Sequence, residues 1–281
     1  MPTCNYVFLI VNYNSSYETN QFIRHVNQLD LKFSYSFVVV DNYYSDSQLE
    51  ALKSYVCLYD NVDLLESKTN SGYACGNNIG LKYIFEKKIG DVVYVCNNDI
   101  EFKDPSFFYE LNNGLATYDF VSARMEIASV TQNLDFRKKE LLDDIASFIP
   151  KKLKVAQVSR KNASAGKWIH ADWLNGSFFS GNISSFADID YFDERTFLYC
   201  EERILGARAV SFNKSMAVHS ELTYKHTEGA ITTTSFNRFY LMEYLCDSRQ
   251  VFYKYYTSGY KKILGTLFHK FVGSIFRVLK I

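Results

Sequence analysis

The 281-residue sequence has six cysteines, Cys4, Cys57, Cys75, Cys96, Cys200 and Cys246, and no CxxC pair among them. Several sit inside apolar runs, where a free thiol packs as a small hydrophobe; the pattern excludes a zinc site and points to a reducing compartment. No run approaches the roughly 18 to 20 continuous apolar residues that a membrane span requires, and the opening MPTCNYVFLIVNYN has no basic leader or cleavage site. A cytosolic or peripheral protein is therefore expected. Neither GxGxxG nor a glycine-rich basic phosphate loop follows the first strand, which argues against a Rossmann dinucleotide site and a nucleotidylyltransferase. Internal repeats and low-complexity tracts are also missing, and no nucleic-acid partner is expected. Acid is missing from one region altogether. After Asp247 there is no Asp or Glu, but Arg249, Lys254, Lys261, Lys262, Lys270, Arg277 and Lys280 supply seven positive charges. With 31 basic and 31 acidic residues in total, the remainder carries 24 against 31, a net of minus seven, so the two regions face different surroundings.

Apolar and aromatic residues are plentiful: 47% of the chain is hydrophobic, with 22 Tyr and 23 Phe, enough to fill one large α/β core. Strand-like and helix-like segments alternate through residue 125. Tyr6–Val11, Phe37–Val40, Val62–Leu65 and Val92–Cys96 read as buried strands. Ser15-Ser16-Tyr17-Glu18 and Ser45 with Gln48 have capping-box spacing ahead of helices whose apolar positions (Phe22, Ile23, Val26, Leu29; then Leu49, Leu52, Val56) share a face. A further helix spans Ile79–Phe85. Such alternation predicts a mostly parallel sheet flanked by helices, with ligands at the carboxyl ends of the strands.

Polar clusters fall at those ends: Asn12-Tyr13-Asn14, Asp41-Asn42, Asn70-Ser71-Gly72 and Asn97-Asn98-Asp99. One alone would be turn chemistry, but four on one edge describe a site. From about Met125 to Lys167 the pattern gives way to a charged stretch with a helix near Lys139–Phe148, read either as an excursion over the active edge or as a solvated insertion. Order returns from Trp168 to about Tyr224.

The motifs VNYN (11–14), VVVDNYYSD (38–46), NSGYACGNNIG (70–80), YVCNND (94–99), WLNGSFF (173–179) and FDERTFLYCEE (192–202) occur in the order found in glycosyltransferase family 2, the inverting GT-A enzymes, and the chain resembles its rhamnosyltransferase-like bacterial members over residues 5 to 245. The resemblance implies a GT-A domain over residues 1–247, with a nucleotide-binding half (1–125) and an acceptor and catalytic half (126–247). It also implies a nucleotide-diphosphate sugar donor, UDP- or dTDP-linked. Val11, Tyr13, Asp41, Asn70, Gly72, Asn78, Asn97, Asn98, Trp173, Asn175 and Gly176 would bind the donor, Tyr13 beneath the base and Asp41 at its polar edge. Asp99 and His219 would hold Mn²⁺ or Mg²⁺, hard cations that keep waters and phosphates as ligands. Asp193 and Glu194 would organise the acceptor side. Glu202 is the expected base and Glu201 the alternative, both at a helix N-terminus that favours the anion. The acceptor would be a growing bacterial surface glycan such as lipopolysaccharide O-antigen or capsule, or a polyprenyl-diphosphate-linked glycan. A non-catalytic nucleotide-sugar-binding or assembly subunit is the alternative function.

Residues 248–281 form the tail. From Lys261 onward, Ile263, Leu264, Leu267, Phe268, Phe271, Val272, Ile275, Phe276 and Leu279 recur at helical spacing beside basic residues. This basic amphipathic helix suits an anionic membrane surface, at the inner face of the cell membrane. Packing on the catalytic domain or on a second subunit of a homo-oligomer is the other reading.

Overall fold

The computed structural model describes residues 5–128, 130–131, 141–148, 166–227 and 237–279. Among them the chain builds one sheet of ten strands. The first four, β1 (Tyr6–Asn12), β2 (Tyr35–Asp41), β3 (Val62–Glu66) and β4 (Val92–Cys96), are mutually parallel in the order β3-β2-β1-β4. Between them run helices α1 (Ser16–Gln28), α2 (Asp46–Val56) and α3 (Gly72–Lys87). Strands β1, β2 and β4 are apolar on both faces because both are covered; β3, expected to be buried, is the edge strand and is only half-buried, with Asp63 and Glu66 exposed. Val7, Leu9, Val38 and Val40 pack under Leu81 and Ile84 of α3, whereas Phe8, Ile10, Phe37 and Val39 pack against Phe22, Ile23, Val26, Leu52 and Val56 of α1 and α2. Period-two alternation thus sorts one run of residues into two cores.

Beyond β4 come β5 (Ile100–Glu101), α4 (Ser106–Leu115), β6 (Phe120–Ile127), β7 (Val130–Thr131) and α5 (Leu141–Ser147). After these follow β8 (Trp168–His170), β9 (Phe178–Asn182), α6 (Ile183–Asp188), α7 (Glu201–Ser211) and β10 (Met216–His226). The sheet continues as β4-β9-β6-β10-β5, and β9 lies antiparallel to both β4 and β6. That reversal places the segment leading into β9 beside the carboxyl end of β4, so the second half of the chain feeds the edge the first half prepares. The expected helix at 139–148 is seen as α5; the rest of the charged stretch, 132–140 and 149–165, lies outside the described residues.

Two details differ from expectation. Ser15 caps no backbone N–H of α1; its hydroxyl is drawn into a buried network described below. Ser45 does accept from the Gln48 N–H at 3.3 Å. Helix α3 starts at Gly72, seven residues before the apolar spacing becomes visible, because Gly72 alone suits the turn. Its φ is +89°, and a Cβ there would stand 2.2 Å from the Phe197 carbonyl oxygen.

The C-terminal region is a helical hairpin, α8 (Arg238–Tyr256) and α9 (Gly259–Val278). The expected boundary at residue 247 falls inside α8. Gly265, His269 and Gly273 form the buried stripe of α9 against α8; a Cβ on Gly265 would collide with the Tyr253 ring at 2.3 Å. No described helix is long and apolar enough to cross a membrane.

Candidate active site

A cavity of about 340 Å³ opens at the carboxyl ends of β1 and β4. Of the residues expected at a site, Val11, Tyr13, Asn70, Gly72, Asn97, Asn98, Asp99, Asn175, Gly176, Glu201 and Glu202 line it, together with Phe197, Tyr199 and His226. The floor is held by a buried polar network. Asn12 donates to Asp41 at 2.8 Å and accepts from Ser15 (3.1 Å) and Thr19 (2.8 Å), while the Asn98 amide donates to Ser15 Oγ (2.7 Å) and Thr19 Oγ1 (2.8 Å). These bonds tie the ends of β1, β2 and β4 to the start of α1, which is why Ser15 is not free to cap. Each would be costly to leave unmade in the interior.

Several expected residues stand outside the cavity, each for a visible reason. Asp41 is 1% exposed, with Asn12 on one oxygen, and burial pushes its carboxyl up from the ordinary value. Asn78 is buried and braces the loop before α7, donating to the Phe192 carbonyl and to Glu194 (2.8 Å) and accepting from the Phe192 N–H. Glu194 also meets Lys82 at 3.2 Å. Asp193 takes a two-pronged bond from Arg195 and one from the Tyr256 hydroxyl (2.7 Å), which despite its burial hold the carboxyl below its usual range. Trp173 is packed in the core.

His219 is likewise remote from the cavity. It is buried in β10, edge-on to Trp168, and its Nδ1 accepts the Leu222 N–H at 2.9 Å. A different histidine stands beside Asp99: His226, at the far end of the same strand, pairs across from Ile100 and sets Nε2 3.1 Å from Asp99 Oδ1. Both atoms are buried and neither makes a hydrogen bond. An imidazole nitrogen and a carboxylate oxygen that converge at 3.1 Å with no hydrogen bond to either fit a divalent cation. Among the described residues no group of three or more His, Cys, Asp or Glu is assembled as a metal cage, so such an ion would draw its remaining ligands from substrate and water.

The acidic pair opens α7. Tyr199 and Cys200 both have left-handed backbone, φ 73° and 69°, a conformation costly for residues with a Cβ. The sharp turn aims the first turn of α7 into the cavity and is pinned from two sides: Tyr73 N–H donates to the Phe197 carbonyl (2.9 Å), and Ser248 Oγ of α8 donates to the Leu198 carbonyl (2.9 Å). Glu201 is 5% exposed. Burial first, and the neighbouring Glu202 second, push its carboxyl well above the usual range. Glu202 is more open. Gly206, one turn further, lets α7 lie on the backbone of residues 172 and 173; a Cβ there would be 2.0 Å from the Asp172 carbonyl oxygen.

The charge balance of the cavity is one-sided. Asp99, Glu201 and Glu202 face it with His226, and no Lys or Arg is among its described lining residues.

No family model matches the chain. It is 26% identical over 199 residues to the low-salt glycan biosynthesis hexosyltransferase Agl10 of Haloferax volcanii, covering 69% of this chain and 58% of that protein's length. Among solved structures it superposes on S. aureus TarS residues 1–349 (15% identity, 95% of this chain and 72% of that one, TM-score 0.54). It also superposes on GalNAc-T7 with UDP, GalNAc and Mn²⁺ (11%, 96% and 55%, 0.61). A third match is mannosyltransferase PcManGT from Pyrobaculum calidifontis with GDP-Man and Mn²⁺ (10%, 96% and 73%, 0.58).

Proposed function

We propose that this chain, whose fold is the GT-A fold of glycosyltransferase family 2-like proteins, is an inverting glycosyltransferase that takes a sugar from a UDP- or dTDP-linked donor. The observation that carries this reading is the cavity at the β1 and β4 ends, where an aromatic wall, the close Asp99–His226 pair with no hydrogen bond to either facing atom, and an acidic helix start meet. Structures with the same fold hold UDP or GDP-Man with Mn²⁺, and this cavity has a shape and donor set suited to such a ligand. A diphosphate would find no fixed positive side chain among the described lining residues, so its charge calls for a cation held by Asp99 and His226. When bound, Mn²⁺ or Mg²⁺ supplies Lewis-acid neutralisation of the charge on the departing diphosphate.

The protein's own groups divide the remaining work. Tyr13, held edge-on by Tyr44 (ring centres 5.4 Å apart), offers its face to the nucleobase. Asn175 and Gly176 border the sugar, and Gly72 with Asn70 shapes the turn beside the donor. Glu202 accepts the acceptor hydroxyl proton as the new C–O bond forms at the anomeric carbon and the bond to diphosphate breaks with its electron pair leaving on the phosphate; attack opposite the leaving group inverts the centre. Glu201 suits this role less, because it is 5% exposed and burial disfavours its anion.

The acceptor we propose is a surface glycan or a lipid-linked glycan, reached with the tail on an anionic inner leaflet. On α9 the stripe Gly265, His269 and Gly273 faces α8, and the opposite face, by about 100° per residue, leaves Leu267 (59%) and Phe271 (68%) exposed together with Ile263, Leu264, Ile275 and Val278. Apolar side chains in an acid-free basic segment match the interfacial region of an anionic bilayer. Incubating the purified chain with a panel of nucleotide sugars, Mn²⁺ or EDTA, and lipid-linked and short soluble acceptors tests the assignment. Metal-dependent transfer with inverted linkage is expected; nucleotide binding without transfer to any acceptor would favour the assembly-subunit reading. Leu267→Glu with Phe271→Glu should reduce cosedimentation with phosphatidylserine vesicles, and unchanged binding would return the tail to a protein partner.

A further inference from the structure

The α7 turn that carries Glu201 and Glu202 continues into Arg203, whose guanidinium is buried in a knot made from three other elements. Arg203 Nη1 meets Asp144 Oδ2 of α5 at 2.7 Å and lies over the Phe252 ring of α8 at 4.3 Å. Asp144, 1% exposed, also meets Arg249 of α8 at 3.3 Å and accepts from the Tyr253 hydroxyl at 2.6 Å. Tyr253 is stacked in turn on His269 of α9, ring centres 5.4 Å apart. One carboxylate thus collects two guanidiniums and a phenol, and the arginines hold its pKa below the ordinary value against the desolvation of burial. Breaking one partner of a buried pair leaves the other uncompensated, so such a knot tolerates little movement. It stands one residue from the side chain that must point at the acceptor, and Ser248 of the same α8 holds the Leu198 carbonyl on the other side of the turn.

We infer that Arg203 and Asp144 are positioning residues for Glu202: α5 and the α8–α9 hairpin brace the first turn of α7, making the tail part of the catalytic half. The identity of Glu202 as base rests on the function proposed above; the bracing itself does not. An effective base must stay within hydrogen-bond reach of the proton it takes, and a helix start with two left-handed residues before it needs an outside anchor to stay there.

The test uses the full chain with Arg203→Gln, Arg203→Lys and Tyr253→Phe, following transfer kinetics, UDP binding with Mn²⁺, and amide hydrogen exchange. Arg203→Gln is expected to lower kcat about 10- to 100-fold, as misplacement by about 1 Å can, with donor KM and UDP affinity within about twofold of wild type. Arg203→Lys should restore part of the rate. Amides of residues 199–206 should exchange faster while those of α3 stay as they were. If Arg203→Gln does not fold, Tyr253→Phe, which removes one hydroxyl, is expected to lower kcat several-fold with the same local exchange signature. A folded variant with wild-type kcat and unchanged exchange at 199–206 overturns the inference. A wild type that transfers no sugar overturns the transferase reading instead, and the exchange of residues 199–206 then decides the bracing by itself.

Discussion

Two buried polar clusters support the cavity from different sides and are built on opposite principles. The floor beneath β1 and β4 is a net of amides and hydroxyls, Asn12, Ser15, Thr19 and Asn98, around the one carboxylate of Asp41. The knot behind α7 is made of paired full charges, Asp144 with Arg203 and Arg249. Neutral dipoles hold strand ends in place without adding a field, which leaves the electrostatics of the cavity to Asp99, His226 and the acidic pair. Charges are placed where they are shielded from the cavity and can clamp a strained turn. The difference teaches that the strand-end side of the cavity is prepared to receive charge and the α7 side to resist displacement.

The largest effect should come from the side that resists displacement. Glu202→Gln keeps size and hydrogen bonding but cannot take a proton, and kcat should fall about 100- to 10,000-fold, with UDP titration in Mn²⁺ unchanged. Full activity in Glu202→Gln beside an inactive Glu201→Gln would move the role to Glu201. On the charge-receiving side, Asp99→Ala should cost roughly 1,000-fold in transfer, since a cation at a departing oxyanion is worth several kcal/mol. His226→Ala should weaken the apparent Mn²⁺ affinity by about 10- to 100-fold or more. His219→Ala is the internal control: metal titrations should match wild type, and only thermal stability should drop. The reverse pattern would restore His219 as the ligand.

The smallest effect separates the clusters by pH. Burial raises the folded-state value of Glu201, so its contribution to stability is present below the ordinary Glu value of about 4.3 and is lost as pH rises toward the raised value. Glu201→Gln should therefore melt higher than wild type above that range, by a few degrees at about 2–4 °C per kcal/mol, with the gap closing as pH falls. Asp144 has the opposite sign: its depressed value adds stability above the ordinary Asp value of about 3.9 and surrenders it as pH falls through the native value. Melting curves of wild type, Glu201→Gln and Tyr253→Phe from pH 3 to 8 check both directions.

Much of the donor edge was legible in sequence because two local signals agree there. Buried strands show as unbroken apolar runs, and their carboxyl ends as abrupt polar residues, so Tyr13, Asn97 and Asp99 could be placed on one edge without a structure. What local signals do not carry is partner choice. Asn78 and Asp193 sit in the expected motifs yet spend their hydrogen bonds on Phe192 and on Arg195 with Tyr256, and Asp41 gives one oxygen to Asn12 and keeps the other without a hydrogen bond, pairings in part set by residues far away in the chain. The two histidines of β10 differ by position along the strand: His219 pairs with Trp168 in the buried first half, and His226 ends the strand opposite Ile100, beside Asp99. In the tail the apolar stripe was visible, but the face that meets α8 is made by two glycines and a histidine, a contact decided by how closely the helices approach.

The contact of Gly206 with the Asp172 carbonyl has a consequence for altering this protein. At Gly206, helix α7 meets the backbone of Asp172 and Trp173 with no side chain between them, so a shift of either should be felt by the other. A redesign that shifts that strip of backbone beside the cavity is expected to move the acidic pair as well. Donor preference should therefore be easier to change through the side chain at position 175 than through loop length, and insertions between residues 172 and 176 should abolish turnover before they change selectivity.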